Sequence, residues 1–344
     1  MTAGPIDWRA VVDEVIRRRK EDGLSQRHFA ALAGVSVPTL NSFEKGETSL
    51  RFDRVVAILD AVGLFVQPGP SGSLDGFIHS ARQRWHELTG GLPDGDPARQ
   101  PFGHSEQAYA FAQARPELSL AELRDLLARA PATSGWPPFW VPSRAALRPV
   151  IRDRSVECWL GKLDVDRAFG DAAHSDFWQV GRGAEAYLQR GYQEDGPDLQ
   201  PGAIFDVTLP IWRTAEVLIH ASWLAAELGA SPNDEIRVFA RYTGLAGRRL
   251  LSWAKPLLAF PLGQSDAPRA RTDSVDLETI TTREQIDHAL EEVTGRLLQP
   301  LYERFDGFQA PADLVAGQIE ELRRNLASDR HQDRAARRAK RKAS

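Results

Sequence analysis

The chain has 344 residues and a formal net charge of −4, long enough for two or three domains with a sizeable core. No run of about eighteen apolar residues is present to span a membrane, and Asp7 and Arg9 occupy the stretch where a signal peptide needs an apolar region. Cys158 is the only cysteine, which excludes a disulfide framework and a thiolate metal cage within one chain; together these signs predict a cytoplasmic protein.

The first predicted helix covers residues 8–20, with Trp8, Val11, Val12, Val15 and Ile16 inward. Residues 24–46 then read LSQRHFAALAGVSVPTLNSFEKG, two short helical patterns pivoting on Gly34. Ser25 is placed to cap the first, whose apolar side is Phe29, Ala30 and Leu32, and Ala30 is small enough for a second helix to cross closely. Gly34 supplies the left-handed conformation that ends a helix and turns the chain. Ser36 caps the next helix, Pro38 is tolerated in its first turn, and Leu40 and Phe43 at i, i+3 point to the core. Glu44, Lys45 and Gly46 close it. A further helix over 52–62, with Phe52, Val55, Val56, Ile58 and Leu59 inward, completes an all-α domain of four or five helices over 1–66.

The spacing of Ser25, Gln26, Phe29, Ala30, Gly34, Ser36, Leu40, Glu44 and Gly46 resembles the Cro/C1-type (Xre) helix-turn-helix family. The continuation SLRFDRVVAILDAVGLFV is most similar to its antitoxin-type branch, in which an apolar strand after the last helix pairs between subunits, and Leu64, Phe65 and Val66 stand in that place. The resemblance implies double-stranded DNA as a partner, with the second helix of the motif in the major groove, and a homodimer. Carried over position by position, it names Gln26, Val37, Pro38, Thr39 and Asn41 as the base-reading face and adds Ser36 and Ser42 beside them. Arg27, Lys45 and Arg51 are placed to hold phosphates, which positions a domain without specifying sequence. Pro38 departs from the usual polar residue and cannot donate a hydrogen bond. Direct readout therefore rests on Asn41, which suits adenine, and on methyl contacts from Val37 and Thr39 to thymine. Acidic and basic residues are about balanced over 1–66, so the domain has no strong electrostatic footprint. The bland alternative is a solvated face on a dimerisation module of the same fold.

After Val66 the string QPGPSGSLDG reads as a hinge. Residues 67–100 form a linker with one helix over 74–88, its apolar spacing being Phe77, Ala81, Trp85 and Leu88. Ser119 and Glu122 make a capping box ahead of Leu123, Leu126 and Leu127 and predict a helix. From about Trp136 strand signals take over, at 155–163, 177–180, 186–192, 204–209, 235–242 and 248–253, with 243–247 as a hairpin turn. One helix over 212–228 carries Val217, Leu218, Ala221, Leu224, Ala225 and Leu228 on one side. Another over 283–305, capped by Thr281 or Thr282, has the stripe Ile286, Leu290, Val293, Leu297 and Leu301. Strands and helices intermixed in this order predict a mixed, mainly antiparallel-sheet domain with helices over 101–327, and an α+β chain overall. Residues 328–344 are a basic tail, with Arg334, Arg337, Arg338, Lys340, Arg341 and Lys342 either adding phosphate contacts or solubilising the chain.

The strings HSDFWQV, LQRGYQEDG, IFDVTLPIWRTAEVLIHA and RYTGLAGRRLLSW resemble the carboxy-terminal half of bacterial proteins that begin with an AlbA-type, Schlafen-related DNA-binding domain. That implies a portable module joined to different nucleic-acid-binding heads, and it transfers no site residue. The catalytic motifs G-x-x-x-x-G-K-[ST], strand-linked G-x-G-x-x-G, H-E-x-x-H and G-x-S-x-G are missing. Cys158 falls in a strand pattern, where it reads as a packed residue. His79 with His86, and His174 with Asp176, lack further metal ligands at recognisable spacing. The expectation is a non-enzyme with no catalytic residue, metal or cofactor. The aromatic residues over 136–253 read as core, with a ligand pocket competing if Arg213 or Arg241 faces inward beside Trp or Tyr. The leading function is a sequence-specific transcriptional regulator whose 101–327 domain senses a small-molecule or protein effector or drives assembly. The alternative is an antitoxin-like or defence-associated interaction protein whose helix-turn-helix autoregulates; an enzyme acting on nucleic acid or nucleotide comes third.

Overall fold

The computed structural model describes residues 8–21, 24–61, 73–113, 118–132, 134–142, 144–161, 171–255 and 267–324. The fold is α+β, a helical unit followed by a mainly antiparallel sheet with helices, and the chain divides into Met1–Gly76 and Phe77–Ser344. The strand expected at Leu64 to Val66, the hinge residues 67–72 and the basic tail lie outside the described residues.

In the first unit the helices α1 (Trp8–Glu21), α2 (Gln26–Leu32), α3 (Val37–Glu44) and α4 (Phe52–Ala61) enclose Val12, Val15, Phe29, Leu40, Phe43 and Ile58, each 0% exposed. These are the apolar positions at helical spacing, so the sequence period and the core coincide. Phe52 corrects the expectation for α4. It is 76% exposed, because it opens the helix beyond the edge of the core, while Val56 and Ile58 make the buried side. Gly34 joins α2 to α3 at φ +63°, and a Cβ placed there would meet no atom within 4 Å. Gly34→Ala should therefore lower stability by about 1–2 kcal/mol through backbone conformation alone, a loss that urea denaturation of the variant would read.

The second unit starts inside the segment expected as a linker. Most of α5 (Leu74–Thr89) belongs to it, held by Arg82 to Glu106 at 2.7 Å and Arg84 to Glu157 at 3.0 Å. In chain order there follow β1 (His104–Phe111), α6 (Leu120–Leu127), β2 (Val150–Arg152), β3 (Ser155–Trp159), β4 (Phe177–Gly181), β5 (Ala186–Gly191), β6 (Ile204–Asp206) and α7 (Leu209–Glu227). Then come β7 (Glu235–Tyr242), β8 (Arg249–Leu251), β9 (Val275–Thr282), α8 (Arg283–His288) and α9 (Leu290–Tyr302), and residues 312–324 are helical. Seven strands form one antiparallel sheet in the order β2-β3-β4-β5-β1-β7-β9, while β6 and β8 form a separate parallel pair. Register places Ala108 of β1 opposite both Tyr187 of β5 and Phe239 of β7. Gln107 donates to Thr214 of α7 while the adjacent Glu106 meets Arg82 of α5. Successive side chains of a strand point to opposite faces, so β1 is covered by helices on both.

Four expectations for this unit are corrected. β1 lies before Trp136, where no strand was expected, and β2 and β9 are additional. Residues 243–247 do not close a hairpin, because β8 pairs in parallel with β6 rather than with β7. Gly244, at φ +64°, instead packs so closely that a Cβ would come within 2.2 Å of the Phe102 carbonyl oxygen. The helix expected over 283–305 is two helices, broken at Ala289 with φ −138° and ψ 40°. Its predicted start is a capping box, with Thr282 accepting from the Gln285 backbone and Gln285 reaching back.

Candidate nucleic-acid interface

The turn between α2 and α3 is built from its caps inward. Ser25 accepts from the His28 amide at 3.2 Å and Ser36 from the Thr39 amide at 3.2 Å, each satisfying a donor that the first helical turn would otherwise leave unpaired. Pro38, which has no such donor, sits in the first turn of α3. Leu40 and Phe43 lock α3 to the core; the Trp8 ring stands edge-on to Phe43 at 5.3 Å and its indole nitrogen donates to the Gly46 carbonyl at 3.1 Å.

With 100° between residues of a helix, Val37, Pro38, Asn41 and Ser42 of α3 fall on the side opposite Leu40 and Phe43. Val37 is 36% exposed, Ser36 and Pro38 are exposed, and Asn41 and Ser42 are half-buried. Thr39 stands off this stripe. It is half-buried, and its hydroxyl lies 2.7 Å from Ser36 Oγ, so the hydroxyl is engaged within the cap while the methyl stays available. Arg27, Lys45 and Arg51 are exposed. Gln26 is exposed at the start of α2, and its amide donates to Glu44 Oε2 at 2.6 Å.

That contact exposes two residues absent from the sequence-based set. Glu44 at the end of α3 also receives Arg19 Nε at 2.8 Å, and Arg19 Nη1 donates to the Leu24 carbonyl at 2.8 Å. Both partners of the ion pair are about nine-tenths buried. The arrangement ties α1, the start of α2 and the end of α3 together, fixing the angle at which α3 is presented and the orientation of Gln26. Arg54 of α4 donates to the Gly34 carbonyl at 3.2 Å, which pins the turn from the other side. Nine acidic and nine basic residues occur over 1–66, so the segment carries no net charge of its own.

The second unit buries several ionisable groups, among them Asp176, Arg190, Glu194, Asp206 and His220. Asp176 takes a bidentate contact from Arg190, whereas His174 pairs with Asp171 at 2.7 Å; the sequence pairing of His174 with Asp176 is not made. Asp206 is 0% exposed and accepts five hydrogen bonds, from Thr208 N and Oγ1, Leu209 N, Trp253 N and Ala254 N. Its own amide donates to Glu194 at 2.6 Å. Burial pushes Glu194 up to about 7, against the Asp206 amide that it accepts from and with a smaller push from the Asp206 charge. A carboxyl whose folded pKa exceeds its unfolded value stabilises the fold fully below about pH 4.5 and loses that contribution as pH rises through 7. His220, which burial pulls down to about 3, acts in the opposite sense over an overlapping range. The readable quantity is therefore the difference between Glu194→Gln and the parent chain. That difference should grow in favour of the variant by on the order of 3 kcal/mol between pH 5 and 8, followed by urea midpoints at each pH.

Among the described residues no group of three or more His, Cys, Asp or Glu side chains is placed to hold a metal ion, and no helix is long and apolar enough to cross a membrane. A family model described as helix-turn-helix matches residues 15–64, from within α1 past the end of α4, so this segment is a helix-turn-helix domain. No curated protein matches the chain.

Proposed function

We propose that the chain is a sequence-specific DNA-binding transcriptional regulator of the Xre type, in which α3 enters the major groove. The observation that carries this reading is the presentation of Val37, Pro38, Asn41 and Ser42 on the core-free side of α3, within the segment that matches the helix-turn-helix family. Asn41 reads adenine through its amide, the methyl groups of Val37 and Thr39 contact thymine, and Arg27, Lys45 and Arg51 hold phosphates. The reading face has no arginine, and the domain is balanced in charge, so one copy binds modestly. Useful affinity comes from two copies on a pseudo-palindromic site, where the second contact forms at high effective concentration.

The second unit serves as the sensor or assembly domain. Support comes from Arg213, which lines a cavity beside Tyr192 and Tyr242; Arg241 is instead paired with Asp276 at 3.4 Å. A ligand can shift DNA binding only through different affinities for two arrangements of the protein.

Asn41→Ala tests the base-reading role. It should cost about 1–3 kcal/mol and relax preference at one base step, measured by competition binding against a set of singly substituted sites. Equal weakening on every site would assign Asn41 to the backbone instead.

A further inference from the structure

Arg190 and Arg213 both line a cavity of the second unit, with Tyr192, Phe205, Leu209 and Tyr242 forming much of its wall. The cavity has a volume of about 40 Å³, room for roughly three waters at about 10–15 Å³ each, and is partly open to solvent. The two guanidiniums differ in how far their hydrogen-bonding capacity is used. Arg190 is bound through Nε and Nη2 to Asp176, and its Nη groups also reach the carbonyls of Trp136 and Pro137. Arg213 uses only Nη1, which donates to the Trp136 carbonyl at 3.1 Å and to Glu216 at 3.0 Å. Among the described residues its Nε and Nη2 have no partner. These two groups form the edge that matches a carboxylate in a two-point contact. Desolvation and the neighbouring Arg190 pull Arg213 below its ordinary pKa, the behaviour of a cation whose surroundings neutralise it incompletely.

We infer that this cavity binds a small monocarboxylate, its two oxygens on the Nε and Nη2 edge of Arg213 and its short apolar part against Tyr192, Phe205 and Leu209. This rests on reading the second unit as a sensor. The size admits a group of a few heavy atoms. Asp176 and Glu216 already face the two guanidiniums and Glu194 also lines the cavity, so there is no surplus of positive charge to hold a phosphate dianion; what selects a carboxylate is the two-point match to the Arg213 edge. The aromatic and aliphatic wall favours a short hydrocarbon stub over a sugar or nucleotide.

The test uses the full chain and three probes at matched ionic strength: sodium propionate, sodium chloride and propionamide, the last having a similar shape without the charge. Propionate is expected to raise the melting temperature saturably, while the other two do not. Arg213→Gln alone removes the cation that the buried Glu216 meets at 3.0 Å, so the variant compared is the double change Arg213→Gln with Glu216→Gln. Its affinity for propionate should fall roughly ten- to a hundred-fold. An identical response to propionate and chloride, or unchanged affinity in a folded double variant, overturns the proposal. DNA binding of the same preparation without added carboxylate is scored separately. Intact DNA binding with no propionate effect removes the ligand site and leaves the regulator standing, whereas a propionate effect without DNA binding supports the site and removes the regulator.

Discussion

Phe43→Ala is expected to destabilise the amino-terminal unit by about 3–5 kcal/mol and with it to abolish DNA binding. Phe43 is 0% exposed and stands in the middle of a core that also contains Val12, Val15, Phe29, Leu40 and Ile58. Truncating it removes the edge contact with Trp8 and opens a void between α1 and α3. A domain of this size buries too little surface to absorb such a loss, since small domains have only about 5 kcal/mol of stability in reserve. Hydrogen exchange of the α2 and α3 amides reads the outcome directly, because their protection reports the opening free energy of this unit. Protection lowered by less than about 1 kcal/mol would mean that α3 is held by something other than this core.

Arg248→Met should destabilise the second unit by about 3–5 kcal/mol. Arg248 is 0% exposed and its guanidinium is fully engaged. Nε donates to the Gly244 carbonyl, Nη1 to Asp195 and the Ile204 carbonyl, and Nη2 to Asp195 and the Phe102 carbonyl, all within 2.6–2.8 Å. It also lies over the Tyr192 ring at 4.7 Å. One side chain thus joins the loop before β1, the turn after β7 and the strand β6. The thioether fills part of the space but leaves Asp195 buried, 2% exposed, without its cation, and an uncompensated buried charge dominates the loss. Adding Asp195→Asn should therefore recover a measurable part of the stability. Urea denaturation of the single and double variants checks this, and a double variant no better than Arg248→Met would place the loss in the backbone carbonyls instead.

The two regions differ in how much their sequences disclose, for a physical reason. The α2–α3 turn was legible because its determinants are local: Ser25, Gly34, Ser36 and Pro38 act on backbone groups within four residues, and the capping bonds and left-handed glycine are where the spacing puts them. Thr282 with Gln285 was legible for the same reason. β1 was not. It reads HSEQAYAF, and the burial of five consecutive positions, Glu106 to Ala110, on both faces removes the apolar–polar alternation that marks a strand, while alanine and glutamate favour helix. The turn after β7 carries hairpin glycines, yet the partner of β8 is decided by β6, more than forty residues earlier. The break at Ala289 has no glycine or proline to announce it. On the interface, the α3 stripe could be read from periodicity, whereas Arg19 and Glu44 are 25 residues apart and meet only in the fold. The local cap also engages the Thr39 hydroxyl, a competition that base-reading rules alone do not show.

Selection of bound sequences from random double-stranded DNA with the full chain tests the central proposal most directly. An enriched pseudo-palindromic motif, with an adenine preference that disappears in the Asn41→Ala selection, is the predicted result. A pool that stays random after repeated rounds, with the amino-terminal unit folded, would contradict it.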